Sequence, residues 1–135
     1  MLGSVLRFSR KAAGRHMKLF DSELRVMNVI WEHGDITAKE ISNILAEEIG
    51  WNMNTTYTVI KKCIAKDAIE RREPKFICHA LITREEAQAE SLDELSNKMF
   101  GGSSELMFTS LLNSKKLSKK ELENLKKMIS EYTEE

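Results

Sequence analysis

The chain has 135 residues, and its 21 Lys/Arg and 21 Asp/Glu give a formal net charge of zero at pH 7. This length suits one compact domain, or a small domain with an appendage. No apolar run approaches the roughly 18 residues that a membrane-spanning helix needs, which excludes membrane insertion. The balanced charge excludes a uniformly basic protein, so a DNA-binding protein of this composition must concentrate its cations. Residues 50–76 do so, with six Lys/Arg against three Asp/Glu.

Residues 1–17 differ in character from the rest of the chain. They carry four Lys/Arg and no acidic residue, and they show neither a helix cap nor a clear periodicity. The mixture of Gly and Ser and the sequence Gly-Arg-His-Met are typical of an expression leader, which predicts that the native sequence starts at Met17. A basic arm that reaches a DNA minor groove is the alternative.

The first predicted helix begins with Asp21 or Ser22 as its N-cap and ends at Gly34. One face of this helix is apolar and is expected to be buried through Leu24, Met27, Ile30 and Trp31. Val26 and Val29 lie off that face, so the helix is expected to make a second apolar contact, either with the C-terminal region or with a neighbouring helix.

A capping box over residues 37–40 predicts the start of a second helix, because Thr37 and Glu40 can each bond the other's backbone N–H. Asp35 and Ile36 precede this box and can pair as a third strand with a later hairpin. The helix is expected to end at Gly50. Its apolar stripe consists of Ala38, Ile41, Ile44, Leu45 and Ile49.

A third predicted helix, within residues 51–66 and with Asn52 as N-cap, has two chemically different faces. The core face has helical spacing and consists of Thr56, Val59, Ile60, Cys63 and Ile64. The opposite face contains no acid and consists of Asn54, Thr55, Thr58, Lys61 and Lys62. Amides and hydroxyls can read base edges and ammonium groups can bind phosphates, so this face suits a DNA major groove. An ordinary solvated helix surface is the alternative.

A predicted hairpin follows this helix. Its two strand-like runs, Ile69–Arg72 and residues 76–82, are joined by a Glu73-Pro74-Lys75 turn, and its tip carries Arg71, Arg72 and Lys75. A helix followed directly by a basic hairpin is the layout of a winged helix-turn-helix. The sequence therefore predicts a mainly α fold with a small β wing, with a winged helix DNA-binding domain over residues 18–83.

Residues 84–135 are predicted to form three amphipathic helices, with capping boxes at Thr83 and Ser118 and a break at Gly101-Gly102. Short helices of this kind have too little mutual surface to stand alone. The expected partner is the same region of a second subunit, which gives a twofold dimer; folding back onto their own winged helix is the alternative. The apolar residues expected in this helical dimerisation arm are Leu92, Leu95, Met99, Leu106, Met107, Phe108, Leu111, Leu112, Leu122, Leu125, Met128, Ile129 and Tyr132.

No pattern in the chain predicts catalysis, a metal site or a cofactor. His16, His33 and His79 are scattered over three segments, and no nucleophile motif or glycine-rich phosphate loop is present. Cys63 and Cys78 stand 15 residues apart without a C-x-x-C motif, which indicates buried thiols in a reducing cytosol rather than a disulfide or metal ligands.

Three motifs in this order resemble the penicillinase repressor family of bacterial transcription factors, of the BlaI, MecI and CopY type: LFDSELRVMNVIWEHG, TAKEISNILAEE and WNMNTTYTVIKKCIAKDAIERR. The resemblance runs from residue 18 to the C-terminus and is stronger in the first half. It implies a cytoplasmic homodimer that binds double-stranded operator DNA at an inverted repeat with TACA and TGTA elements. The base-reading residues that it implies are Thr55, Tyr57, Thr58, Lys61 and Lys62, of which Tyr57 comes from the resemblance alone.

The resemblance also bears on regulation. The chain lacks the paired C-x-C motifs of the copper-responsive branch, so copper sensing is not expected, and its wing, REPKF, is shorter than is usual in the family. In the β-lactam-responsive branch a membrane receptor senses the antibiotic and the repressor is cut within its arm, typically at an Asn-Phe bond. The corresponding segment here has no Asn-Phe pair and consists of Thr109, Ser110, Leu111, Leu112 and Asn113.

These features together predict a transcriptional repressor of β-lactam resistance or related genes. If derepression is proteolytic, a sensor-linked protease is expected to cut the arm at a shifted or different site. Two alternatives stay open: a winged helix module that binds another protein, and a repressor that answers a different signal.

Overall fold

The computed structural model describes residues 17–132, so the predicted leader or arm at residues 1–16 lies outside the described residues, as do residues 133–135. The described chain contains the helices α1 (Asp21–His33), α2 (Ala38–Ile49), α3 (Met53–Ala65), α4 (Arg84–Met99), α5 (Ser104–Asn113) and α6 (Lys119–Glu131). Its strands are β1 (Ile36–Thr37), β2 (Ile69–Arg72) and β3 (Ile77–Ala80). The predicted mainly α fold with a small β wing is confirmed.

The structure divides into two compact units, one that extends through Ser91 and one that begins at Leu92. This division falls inside α4, eight residues beyond the predicted start of the C-terminal region. The assignment of a DNA-binding role to residues 18–83 and of dimerisation to residues 84–135 stays a prediction. Among residues 17–132, no helix has both the length and the apolar character needed to cross a membrane.

Helix α1 begins one or two residues earlier than predicted and is buried on more than one side. Its N-cap is Phe20 rather than Asp21 or Ser22, and the Phe20 N–H donates to the Glu23 carboxylate at 2.8 Å. The valines that lie off the predicted face, Val26 and Val29, are buried. Their contacts are explained by the packing of α1 against both α2 and α3, so the second apolar contact is with neighbouring helices.

Helices α2 and α3 begin and end at the local signals that the sequence predicts. The Thr37 hydroxyl accepts a hydrogen bond from the Glu40 N–H at 3.1 Å, and Gly50 ends α2 with a φ of +74°. The Asn52 side chain accepts from the Thr55 N–H at 2.8 Å and so starts α3. The inner face of α3 is buried through Thr56, Val59, Ile60 and Cys63, while Ile64 is half-buried.

The three strands form one antiparallel sheet in the order β1-β3-β2. Ile36 pairs with Cys78, which confirms the predicted third strand, although the strand is shifted by one residue to Ile36–Thr37. On the other side of β3, Arg72 pairs with Ile77 and closes the hairpin around the Glu73-Pro74-Lys75 turn.

Both cysteines are free and lie in the core, as expected from their apolar surroundings. Burial, together with a smaller contribution from the nearby Glu23 carboxylate, raises the pKa of the Cys63 thiol to about 12. Burial also raises the pKa of the Cys78 thiol to about 11. Both groups therefore remain protonated near neutral pH, which makes them inert as nucleophiles.

A buried ion pair joins the first turn of α1 to the end of α3. The Glu23 side chain is 2% exposed, and its carboxylate accepts a hydrogen bond from Lys66 Nζ at 2.6 Å. The same ammonium donates to the Lys18 carbonyl oxygen at 2.6 Å and lies 4.2 Å from the centroid of the Phe20 ring. Because the carboxylate is out of reach of bulk water, its charge depends on Lys66 for compensation.

We expect Lys66→Met to lower the free energy of unfolding by about 2 kcal/mol, because it leaves the Glu23 charge buried without its cation. Urea denaturation followed by circular dichroism measures this loss. Lys62→Met removes an exposed lysine from the same helix and should change stability by less than about 0.5 kcal/mol. If the two variants lose the same free energy of unfolding, the Glu23–Lys66 ion pair does not contribute to stability.

Candidate nucleic-acid interface

The outer face of α3 is polar, cationic and exposed. The side chains predicted to contact DNA from this helix, apart from Tyr57, all lie on the solvent side, opposite the buried face: Asn54, Thr55, Thr58, Lys61 and Lys62. The first turn of α3 contains no acidic residue. The positive end of the helix dipole is therefore not neutralised within its own first turn, which favours an anionic partner there.

Tyr57 lies at the boundary between α3 and the hairpin. Its side chain is half-buried, and its ring meets the Phe76 ring edge to face, with the centroids 5.8 Å apart and an angle of 89° between the planes. The structure thus places Tyr57 beside the other predicted residues of α3, but with its ring engaged by the wing.

The predicted wing cations, Arg71, Arg72 and Lys75, lie together at the exposed tip of the β2–β3 hairpin. Arg71 Nε donates to the Glu73 carboxylate, and the Arg71 guanidinium lies 3.7 Å from the centroid of the Phe76 ring. Lys75 occupies the turn with a φ of +72°. The tip therefore carries one arginine stacked on an aromatic ring and one exposed lysine.

Arg72 is tied to two carboxylates. Its Nε donates to Glu70 at 2.7 Å, and its Nη1 lies 3.5 Å from the Asp35 carboxylate. The Asp35 carboxylate also lies 2.8 Å from Nδ1 of His79, which is hydrogen-bond distance. The positive charge of Arg72 is thus balanced by neighbours in the free protein.

Sequence reasoning missed the residues that hold the wing arginines, namely Asp35, Glu70, Glu73 and Phe76. A signal for one of them exists, because alternate residues of a strand share a face and Glu70 and Arg72 have that spacing in β2. Asp35 had no such signal, since its position beside the hairpin depends on the register of β1 against β3.

Between residues 17 and 132, no group of three or more His, Cys, Asp or Glu side chains could hold a metal ion. The arrangement of hydroxyl, amide and cationic groups on a helix beside a hairpin can bind a polyanion and can distinguish hydrogen-bonding patterns on its surface.

The unit that begins at Leu92 leaves most of its large apolar side chains exposed. Helices α5 and α6 contain no buried residue, and Met99 and Ile129 are 67% and 59% exposed. Of the residues predicted to form the dimerisation arm, Met107 and Leu125 are half-buried, while the others are exposed: Leu92, Leu95, Met99, Leu106, Phe108, Leu111, Leu112, Leu122, Met128, Ile129 and Tyr132. Clustered apolar exposure of this kind marks an interaction surface.

The segment predicted to correspond to the family's cleavage site lies in the second half of α5. All five of its residues are exposed: Thr109, Ser110, Leu111, Leu112 and Asn113. The Thr109 hydroxyl donates to the Glu105 carbonyl oxygen at 2.8 Å, one turn earlier in the helix. The segment is helical, so a protease would have to unwind it before cutting.

Comparison with known proteins identifies similar sequences over nearly the whole chain. The family model described as Penicillinase repressor matches residues 19–131. The penicillinase repressor of Bacillus licheniformis is 25% identical over 117 residues, which are 85% of this chain and 91% of that protein. The penicillinase repressor of Staphylococcus aureus is 21% identical over 123 residues, which are 90% of this chain and 98% of that protein.

Among solved structures, one similar chain is the Bacillus licheniformis BlaI monomeric form, solved in solution in complex with the blaP half-operator. It has a TM-score of 0.47 and 27% sequence identity, and the match covers 53% of this chain and 90% of that chain.

Proposed function

The chain belongs to the penicillinase repressor family, a family of DNA-binding transcriptional repressors, and we propose that it represses transcription as a homodimer bound to an inverted-repeat operator. In this proposal the protein acts in the cytoplasm, where its operator lies, and has no catalytic role. The genes that it controls are those for β-lactam resistance or related functions, as the names of its relatives suggest.

The observation that carries the proposal is the outer face of α3. Five exposed side chains on this face combine hydrogen-bonding groups with two ammoniums and no carboxylate. Thr55 and Thr58 would contact base edges, while Lys61 and Lys62 would contact phosphates on either side. The hairpin that follows α3 would add phosphate contacts from its tip, as in other winged helices.

The dimer is supported by the exposed apolar side chains of α5 and α6. Two amphipathic helices without a buried residue need a partner for their apolar faces, and a second copy of the same region is a self-complementary one. A twofold dimer would also match an inverted repeat, since each subunit would occupy one half-site.

We expect Lys61→Ala and Lys62→Ala each to weaken binding to all DNA duplexes alike and to flatten the salt dependence by roughly one unit of slope. Thr55→Ala or Thr58→Ala should instead cost about 1 to 3 kcal/mol on the operator and relax sequence preference, because a base contact is lost. Fluorescence anisotropy titration over a series of salt concentrations measures both effects.

Lys127→Ala is the matched control for these titrations, since Lys127 is exposed on α6. Its affinity for DNA should equal that of the wild type. Unchanged binding by Lys61→Ala and Lys62→Ala would reject α3 as the DNA-reading helix. Wild-type protein that binds no duplex in a salt-dependent way would favour the alternative of a protein-interaction module.

We expect Ile129→Asp to weaken the dimer by at least about tenfold, because burial of an isoleucine contributes roughly 1.5 to 3 kcal/mol and a twofold interface counts it twice. Analytical ultracentrifugation of the full chain measures the change. Lys127→Asp introduces the same side chain on the same helix, away from the apolar stripe, and should leave the dimer intact. A fragment ending at Ser91 that dimerises as tightly as the full chain would contradict the assignment.

Derepression is proposed to follow cleavage of the arm in cells exposed to a β-lactam. Separate subunits would bind half-sites singly and would lose the effective concentration of two linked modules, which is worth on the order of a hundredfold. Immunoblots of the native host after β-lactam treatment should therefore show a shortened protein when the target genes switch on. A full-length protein at that time would rule out cleavage and indicate a different signal.

A further inference from the structure

We propose that Phe76 is a positioning residue for DNA binding, whose ring holds the Arg71 guanidinium and joins it to Tyr57 on α3. The wing cation and the α3 face would then meet neighbouring phosphates as one unit. This inference rests on the proposed function. It assigns the phosphate contact of the wing to Arg71 rather than to Arg72.

The Phe76 ring contacts both elements at once. The Arg71 guanidinium lies 3.7 Å from the ring centroid, which is a stacking distance for a planar cation. The Tyr57 ring meets the Phe76 ring edge to face, with the two centroids 5.8 Å apart. The half-buried rings of Phe76 and Tyr57 therefore connect the half-exposed Arg71 to the helix that carries Lys61 and Lys62.

The backbone of Phe76 is also fixed in an uncommon conformation. Its φ is +54°, in the left-handed region that residues other than glycine seldom adopt. Its carbonyl oxygen accepts a hydrogen bond from the Ala38 N–H at 3.0 Å, and its own N–H donates to Glu73 at 3.4 Å. A strained backbone persists only where the surrounding structure holds it, and here the two hydrogen bonds hold the Phe76 backbone between Glu73 of the turn and the start of α2.

The two wing arginines differ in what they have available for a phosphate. Arg71 is held through its Nε and through the face of its guanidinium, which leaves its two Nη groups to form the paired hydrogen bonds that phosphates favour. Arg72 is engaged through Nε by Glu70 and through Nη1 by Asp35, so a phosphate would have to displace a carboxylate. An arginine already held in one orientation also loses less freedom when it binds.

The test is a set of anisotropy titrations with the full chain. The probes are a labelled duplex that carries TACA and TGTA elements as an inverted repeat, and a second duplex of scrambled sequence. Phe76→Leu keeps an apolar side chain but removes the ring, and it should weaken binding to both duplexes by about threefold to tenfold. Phe76→Tyr restores the ring and should restore wild-type affinity.

The decisive comparison is a double-mutant cycle. If the ring acts by holding Arg71, adding Phe76→Leu to the Arg71→Ala variant should not weaken DNA binding further. The single variant Arg71→Ala and the double variant should also have the same salt slope. Arg72→Ala serves as the matched control, because Phe76→Leu should still cost its full factor in that background. A loss that persists undiminished with Arg71→Ala would overturn the inference and assign Phe76 a purely structural role.

Thermal unfolding shows whether Phe76→Leu folds. If it does not, Arg71→Lys replaces it, since this variant keeps the charge and loses the planar face. Its affinity for both duplexes should fall by about threefold to tenfold, and wild-type affinity would overturn the inference. Failure of the inference differs from failure of the proposed function, because in the second case the wild-type protein itself would bind neither duplex.

Discussion

The buried ion pair between Glu23 and Lys66 is the contact on which the position of α3 depends. Lys66 directly follows the last turn of α3, and Glu23 lies in the first turn of α1. A carboxylate that is 2% exposed cannot lose its cation without a cost of about 2 kcal/mol, so conformations in which α3 moves away from α1 are disfavoured. At the opposite end, the Asn52 cap fixes the first turn of the same helix. Helix α3 is thus held at both ends by polar contacts, while its inner face packs on apolar side chains.

The distribution of charge around α3 is as informative as the charge itself. The chain has no net charge, yet the outer face of α3 contains no acid, whereas the cations of the neighbouring wing are accompanied by Asp35, Glu70 and Glu73. A cationic surface without local acids attracts phosphate backbones, and one with local acids must exchange partners before it binds. On the proposed function, α3 would therefore supply most of the electrostatic attraction. The wing would contribute mainly through Arg71, whose partners leave its terminal nitrogens available.

The parts of this fold that could be predicted from the sequence are those whose signals are local. Thr37 with Glu40, Gly50 and Asn52 act within one helical turn, and the two faces of α3 follow from helical periodicity. The Glu23–Lys66 pair spans 43 positions, so no spacing rule could find it.

The start of α1 also depends on a contact that residue type does not predict. Asp21 and Ser22 are the predicted N-caps because these residue types cap helices well, but the Glu23 carboxylate accepts a hydrogen bond from the Phe20 N–H, and the helix begins earlier. Val26 and Val29 are buried because α1 packs on two helices, which a single apolar stripe does not describe. The proposed role of Phe76 depends on its tertiary contacts with Tyr57 and Ala38, which the sequence alone does not predict.

On the proposed function, the C-terminal helices would let a signal change operator binding by acting on the arm alone. Helices α5 and α6 have 10 and 13 residues and no buried side chain, and isolated helices of that length are marginal in water. In the proposed dimer, the order of the arm and the association of the subunits would then be one equilibrium, because the same apolar side chains supply both. Any event that removes arm contacts would lower operator occupancy through the loss of effective concentration, whether it cuts the chain or unfolds a helix. The absence of an Asn-Phe pair from residues 109–113 therefore bears on where a protease would cut the arm. The proposed coupling between arm contacts and operator occupancy does not depend on the position of that cut.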